Sequence, residues 1–411
     1  MVVGKGAWRA QRATRGVAAV ESRHSEGAAT MTIYRAGTIF DGNNVLGSGT
    51  VRTENGRILQ VVPDDAAGSS LAHPVAHSGE VDLGDVILAP GFVDIHSHGG
   101  GGAAFTDGYE PARTVIETHR AEGTTSIMAS LVTDTLENLE SQIRALQPLY
   151  DAGEILGVHL EGPWLSEKYK GAHDPQLLRD PTEEDVARLC AAGSVRMVTL
   201  AVERPGGIEA VRWLAEHGVI AAPGHSDASF EQVKAAIDAG ARDITHLFNA
   251  MRPVHHRQPG PVIAALETPG LPVELIADGV HTHKVTVKFV FDAKGRDVIL
   301  VTDAMAAAGS PDGDYMLGPL EVEVRNQIAR LKSNGAIAGS TLTLSRAVRF
   351  ATFTAGVDTW LALHAATARP AQLLGRDAEI GRIIPGAYAD LVVESPTLHV
   401  QHVIRRGEQV K

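Results

Sequence analysis

The segment Val219–Gly240, VIAAPGHSDASFEQVKAAIDAG, holds one complete repeat of the fold. Val219-Ile220-Ala221 is a short apolar run, and near-continuous apolar text of this kind reads as a strand buried on both faces. Gly224-His225-Ser226 follows as its polar end. Ser229-Phe230-Glu231-Gln232 matches a capping box, in which the Ser and Gln side chains accept from each other's backbone N–H. Val233, Ala236 and Ile237 then supply a helical stripe, and Gly240 stands where a terminating glycine belongs.

The same rhythm extends in both directions. Phe92-Val93-Asp94-Ile95, Ser126-Ile127-Met128, Ile155-Leu156-Gly157-Val158, Arg196-Met197-Val198-Thr199-Leu200, Asp243-Ile244-Thr245, Val273-Glu274-Leu275-Ile276 and Val298-Ile299-Leu300-Val301 bring the total to eight runs with helical text between them. Strands alternating with helices imply parallel pairing, and eight such units predict an α/β fold with a closed (β/α)₈ TIM-type barrel. An open doubly wound sheet is the alternative, because periodicity does not report closure.

The chain ends read differently. Thr32-Ile33-Tyr34, Val51-Arg52-Thr53 and Ile58–Val62 are short strands, with Asn55-Gly56 as a hairpin signal. Ala389–Val393 and His402–Arg405 are similar. Neither end has enough strands to be stable alone, so the two are expected to build one small β-sandwich domain. The expected division is 31–88 with 382–411 for that domain, and 89–381 for the barrel. Residues 1–30, small, polar and arginine-bearing, read as a disordered N-terminal extension; an organelle transit peptide has similar text.

The 411 residues are 44% hydrophobic and 21% charged, which excludes disorder and a collagen-like build. A formal net charge of −12 argues against a nucleic-acid or anionic-membrane surface, though not against a small anionic substrate. A single cysteine, Cys190, leaves no internal disulfide and points to a reducing compartment, with the cytoplasm expected. No apolar stretch reads as a membrane span or secretory signal.

In such barrels reactive groups stand at the C-terminal ends of strands. The first run ends Asp94-Ile95-His96-Ser97-His98, where the period of two places both imidazoles on one face. His159-Leu160-Glu161, Gly224-His225-Ser226 and Thr245-His246-Leu247 fall at later strand ends. Each alone is most simply a satisfied polar residue. Together they form an N/O ligand set suited to Zn²⁺, Fe²⁺ or Mn²⁺ rather than Ca²⁺ or Mg²⁺. The eighth run delivers Asp303 to the same end, where a carboxylate beside a divalent ion suits a general base. Trp164 reads as packing or lid wall, and Met128 and Met197 as core.

Taken together, Pro90–Gly99 (PGFVDIHSHG), His159–Pro163 (HLEGP), Gly224–Ser226, Thr245–Met251 (THLFNAM) and Val301–Ala304 (VTDA) resemble the N-acetylglucosamine-6-phosphate deacetylases of the amidohydrolase superfamily. The resemblance runs from about Thr32 to the C-terminus. It implies metal-dependent hydrolysis of the 2-acetamido group of the sugar phosphate, yielding glucosamine 6-phosphate and acetate. Glu161, His225 and His246 match the ligands of the main metal, His96 and His98 those of a second metal in some members, and Asp303 the catalytic acid/base. Ala172, Asn249, Ala250, Arg257, His281, Ile337, Ala338 and Gly339 match substrate-contacting positions. A homodimer or higher homo-oligomer is implied as well.

The residues agree with those assignments. Arg257 offers a planar fork for phosphate, and His281 a donor for the substrate carbonyl or hydroxyls. His283 reads as supporting or surface, while His159 and His173 are left without a role. Glu161 speaks against a cyclic-amide hydrolase of the dihydroorotase type, where a carboxylated lysine is common. Asp303 speaks against a non-catalytic sugar-phosphate binder, which has no need of a proton shuttle.

Overall fold

A computed structural model describes residues 31–65 and 79–411. The extension expected over residues 1–30 lies outside them. Met31–Phe40, Val45–Glu54 and Arg57–Pro63 form an antiparallel meander. Its second turn is Asn55-Gly56, with φ of 50° and 76°, the positive values a two-residue hairpin of matching twist needs. From the other end of the chain come Leu391–Glu394, Val400–Arg405 and Glu408–Gln409. Ile87–Pro90 pairs with both Met31–Phe40 and Leu391–Glu394, so the two chain ends meet in one eight-stranded sheet. The small β domain expected from the two chain ends thus takes the form of a single hydrogen-bonded sheet. Ile39, Val51, Ile58, Leu88, Leu391 and Ile404 give this sheet its own apolar cluster.

Between the ends the structure is α/β with parallel strands. Ala129–Val132, Val158–Glu161, Val195–Leu200 and Ile220–Pro223 form a four-stranded parallel sheet. Phe92–Asp94 pairs in parallel with Thr124–Ile127, and Val273–Leu275 with Val298–Leu300. Nearly every residue of these strands is buried, as apolar runs without alternation require. Helices such as Leu136–Asp151, Gly207–Glu216, Phe230–Asp238 and Lys284–Lys294 separate them. The Phe230–Asp238 helix carries the capping box Ser229/Gln232.

The sixth expected strand, Asp243-Ile244-Thr245, is not a regular strand. Counting its flanking residues Arg242 and Leu247, it lies between its neighbours through two backbone bonds on each side. Thr245 N–H donates to Pro223 O at 3.1 Å, and Glu274 N–H to Ile244 O at 2.9 Å. The chain turns left-handed at His246, with φ of 28°, and Leu247 N–H then donates to Glu274 O at 2.8 Å. At the other side Asp303 N–H donates to His96 O at 2.8 Å, and Ser97 and Ala304 form a parallel bridge.

One element has no counterpart in the βα rhythm. Gly313–Leu317, Leu320–Arg325 and Ile328–Leu331 make a three-stranded antiparallel sheet after the last parallel strand. Leu317, Val322, Val324 and Leu331 pack there with Val132, Met305 and Ala338. Among the described residues no helix is long and apolar enough to cross a membrane.

Candidate metal centre and active site

The expected ligands are brought to one place by strand ends that are tied to one another. Thr302 Oγ1 donates to Asp94 Oδ2 at 2.6 Å, which locks the end of Phe92–Asp94 to the segment leading into Asp303. His96 and His98 follow, with their Nε2 atoms 3.2 Å apart. Glu161 closes Val158–Glu161. His225, His246 and Asp303 each sit at positive φ, at 48°, 28° and 47°. Non-glycine residues held there are costly and concentrate at functional sites, because the surrounding packing must impose the conformation.

Two triplets result, Glu161–His225–His246 and His96–His98–Asp303, each with ligand atoms within 4.8 Å of one another. Glu161 Oε1 lies 3.0 Å from His225 Nε2 and 3.1 Å from His246 Nε2, and those two nitrogens are 3.0 Å apart. Glu161 Oε2 lies 3.2 Å from His98 Nε2, which is itself 3.3 Å from Asp303 Oδ1. Glu161 therefore touches both triplets.

The far sides of the rings decide what these contacts can hold. His96 Nδ1 faces Glu274 Oε2 at 2.9 Å, His98 Nδ1 faces Ser130 O at 3.2 Å and His225 Nδ1 faces Tyr169 O at 3.0 Å. Each acceptor takes the Nδ1 hydrogen and leaves a lone pair on Nε2 in the neutral ring. The Nε2 lone pairs of His96 and His98, converging at 3.2 Å, repel unless a cation lies between them. The donor set thus fits divalent ions.

The charges are arranged to match. With protons on the neighbouring rings in place of an ion, burial pushes Glu161 up, but the His225 and His96 charges and hydrogen bonds to His173 and His225 outweigh it and hold the carboxyl well below its usual range. Asp303, its side chain 13% exposed, is likewise raised by desolvation and lowered more strongly by His98 and His96, so it stays ionised.

A cavity of about 190 Å³ opens over both triplets, and it is lined by Ala172, Asn249, Ala250, His281, Ile337 and Gly339 among the residues expected to meet substrate. Two of the expected residues are placed elsewhere. Ala338 is fully buried in the cluster under the three-stranded sheet. Arg257 is exposed, pairs with His256 at 2.7 Å and is absent from the cavity wall, because its loop leads outward. A larger hollow of about 680 Å³, near Tyr150, Arg196, Arg242 and Arg406, holds neither triplet. Chemistry rather than size selects the smaller cavity.

His281 is oriented by Asp278. Its Nδ1 lies 2.7 Å from Asp278 Oδ2, so Nε2 is left for a ligand. Burial depresses this imidazole, but the Asp278 hydrogen bond and charge lift it above its ordinary value. His159, fully buried, spends both nitrogens on hydroxyls, Ser130 Oγ at 3.0 Å and Thr199 Oγ1 at 2.8 Å, and supports the strand ends from below. His173 lines the cavity, with Nδ1 2.8 Å from Thr133 Oγ1 and Nε2 3.4 Å from Glu161 Oε2. His283 is exposed and caps the Lys284–Lys294 helix. Trp164, Met128 and Met197 are fully buried in the main core.

Sequence reading missed Val132 and Leu317 in the cavity wall, and Asp278, Glu274 and Asp243 around it. A carboxylate inside the apolar run Val273-Glu274-Leu275-Ile276 was the one signal available, since an unpaired buried charge is costly.

The chain matches the Amidohydrolase family over residues 87–410. It is 36% identical over 347 residues to the N-acetylglucosamine-6-phosphate deacetylase of Vibrio furnissii, covering 81% of this chain and 85% of that protein. It is also 36% identical over 329 residues to the N-acetylgalactosamine-6-phosphate deacetylase of Escherichia coli O157:H7, covering 78% of this chain and 87% of the relative. A solved structure similar to it is a variant of N-acetyl-D-glucosamine-6-phosphate deacetylase from Mycobacterium smegmatis in complex with N-acetyl-D-glucosamine-6-phosphate. The TM-score is 0.87 at 40% identity, covering 93% of this chain and 99% of that one. In sequence and in fold, the chain belongs to the amidohydrolase family.

Proposed function

We propose that the protein hydrolyses the acetamide of N-acetyl-D-glucosamine 6-phosphate to glucosamine 6-phosphate and acetate, in the cytoplasm and as a homodimer or larger homo-oligomer. The observation that carries this reading is Asp303 standing against the histidines of one triplet while Glu161 joins both, all beneath one cavity.

Glu161, His225 and His246 would hold one divalent ion, and His96, His98 and Asp303 a second; Zn²⁺, Fe²⁺ and Mn²⁺ all suit these donors. Such an ion supplies Lewis-acid polarisation of the amide carbonyl and acidifies a neighbouring water. Asp303 takes the proton of the attacking water and returns it to the nitrogen as the carbon–nitrogen bond breaks. His281, fixed by Asp278, donates from Nε2 to the oxygen that gains charge. Asn249, Ala172, Ala250, Ile337 and Gly339 bound the sugar, Ala338 backs that wall, and Arg257 is assigned to the phosphate by the family resemblance alone.

The scaffold goes with this reading. The parallel strands of 89–381 close as a (β/α)₈ barrel, with 31–88 and 382–411 as the small domain. The bonds from Asp303 N–H to His96 O and from Glu274 N–H to Ile244 O support closure.

The test is acetate release from N-acetylglucosamine 6-phosphate by protein as purified, chelated and reloaded with each ion. N-acetylgalactosamine 6-phosphate and unphosphorylated N-acetylglucosamine serve as parallel substrates, since one of the relatives acts on the galactosamine form. Chelator-sensitive release, greatest with the glucosamine phosphate, is expected. No release with any ion refutes the reaction, and preference for the other sugar corrects the substrate.

A further inference from the structure

Glu274 sits at the centre of Val273–Leu275 and is fully buried, in a strand whose other residues are apolar. A carboxylate there is destabilising unless its oxygens are bonded. Oε2 accepts from His96 Nδ1 at 2.9 Å and from the His246 backbone N–H at 3.1 Å. One oxygen thus reaches a residue of each triplet. Oε1 has no other donor, and neither oxygen of the fully buried Asp243 has one either. Burial and the neighbouring Glu274 push the Asp243 carboxyl well above its ordinary value.

His96 has no other polar anchor on its ring apart from the triplet atoms its Nε2 faces. Its edge packs on His159, with ring centres 4.5 Å apart. Without an acceptor at Nδ1 the imidazole is free to adopt the tautomer that puts a hydrogen on Nε2, directed at His98 and Asp303, and an ion binds only when that tautomer is given up. His98 and His225 find their Nδ1 acceptors in backbone carbonyls and His246 Nδ1 has no partner, whereas His96 Nδ1 is held by a side chain.

We propose that Glu274 is the positioning residue that makes the His96–His98–Asp303 triplet a metal site, by holding the His96 Nδ1 hydrogen and freeing Nε2 for the ion. The inference rests on the two-ion reading above, not on the identity of the sugar. Outer carboxylates of this kind typically contribute roughly 10–100-fold in metal affinity.

The experiment is titration of the metal-free full chain with Mn²⁺, following ions bound per chain by elemental analysis and their magnetic coupling by electron paramagnetic resonance. Wild-type protein is expected to bind two coupled ions. Glu274→Leu is expected to keep one uncoupled ion and to bind the second roughly 10–100-fold more weakly. Glu274→Gln, whose amide oxygen still accepts from Nδ1–H, falls between. Circular dichroism and thermal unfolding confirm that each variant is folded. Two coupled ions of wild-type affinity in both variants overturn the proposal, as does a wild-type chain that binds only one. Loss of both ions together also overturns it, since Glu274 would then serve His246 or the fold at large. If Glu274→Leu does not fold, Glu274→Gln decides: unchanged affinity for the second ion overturns the proposal. Failure of the deacetylase reading shows separately, as normal two-ion binding without acetate release.

Discussion

Asp303 and Glu394 are both enclosed carboxyls, and their surroundings send them in opposite directions. Asp303 is surrounded by histidines and stays charged. Asp303→Asn keeps the shape and removes the proton acceptor, so turnover is expected to fall by about 10²–10⁴-fold. Ion content at Glu161, His225 and His246 should remain near wild type in elemental analysis; loss of that ion along with turnover would mean that Asp303 supports the whole centre and not the proton transfer alone. Glu394 is fully buried with no partner on either oxygen, and burial pushes it up to about 8. Below its ordinary value of 4.5 both folded and unfolded chains carry the proton. Between 4.5 and about 8 the unfolded chain releases it and the folded chain does not, so this group lowers stability as pH rises, by about 1.4 kcal/mol per pH unit. Glu394→Gln is therefore expected to gain stability over wild type at pH 8 and little at pH 4.5, read as the difference between their urea midpoints. An equal gain at both pH values would show that titration is not the cause.

Strand ends and helix starts do different work, and substitutions at each should separate them. Gly224 precedes His225 where three segments come close: an added Cβ would lie 2.6 Å from Thr245 Cβ and 2.7 Å from Thr199 Cγ2. Gly224→Ala must push the end that carries His225 away from Glu161. Overpacking of this kind costs about 1–3 kcal/mol, and the ion held by Glu161, His225 and His246 is expected to bind more weakly in a metal titration. Wild-type affinity would mean the strand end yields without moving His225. Ser229→Ala, a few residues on, removes the cap of the Phe230–Asp238 helix. It should lower stability by about 1 kcal/mol while leaving metal affinity unchanged.

At the scale of the whole molecule, the six side chains of the two triplets arrive from separate parts of the chain, His96 through Asp303, and ions held among them would tie those parts together. Chelation is expected to lower the melting temperature, and readdition of Zn²⁺ or Mn²⁺ to restore it. The stabilisation grows with the logarithm of free ion, about 2.7 kcal/mol at a hundredfold excess over Kd. A melting curve indifferent to chelation, with ion loss verified, would show that apo folding already aligns the strand ends. The sequence alone determined the parallel βα rhythm, the Asn55-Gly56 hairpin, the Ser229 cap and the set of candidate ligands that the fold gathers. All of these are written in local periodicity, cap residues and the polar ends of apolar runs. Tertiary structure alone decided that Asp243–Thr245 forms no ladder, that Leu317 reaches the cavity from an inserted sheet and that Arg257 lies outside it. It alone also paired Glu274 with His96, residues 178 positions apart. Such a contact leaves no periodic trace, because it is set by which strands become neighbours and not by what either strand needs to form.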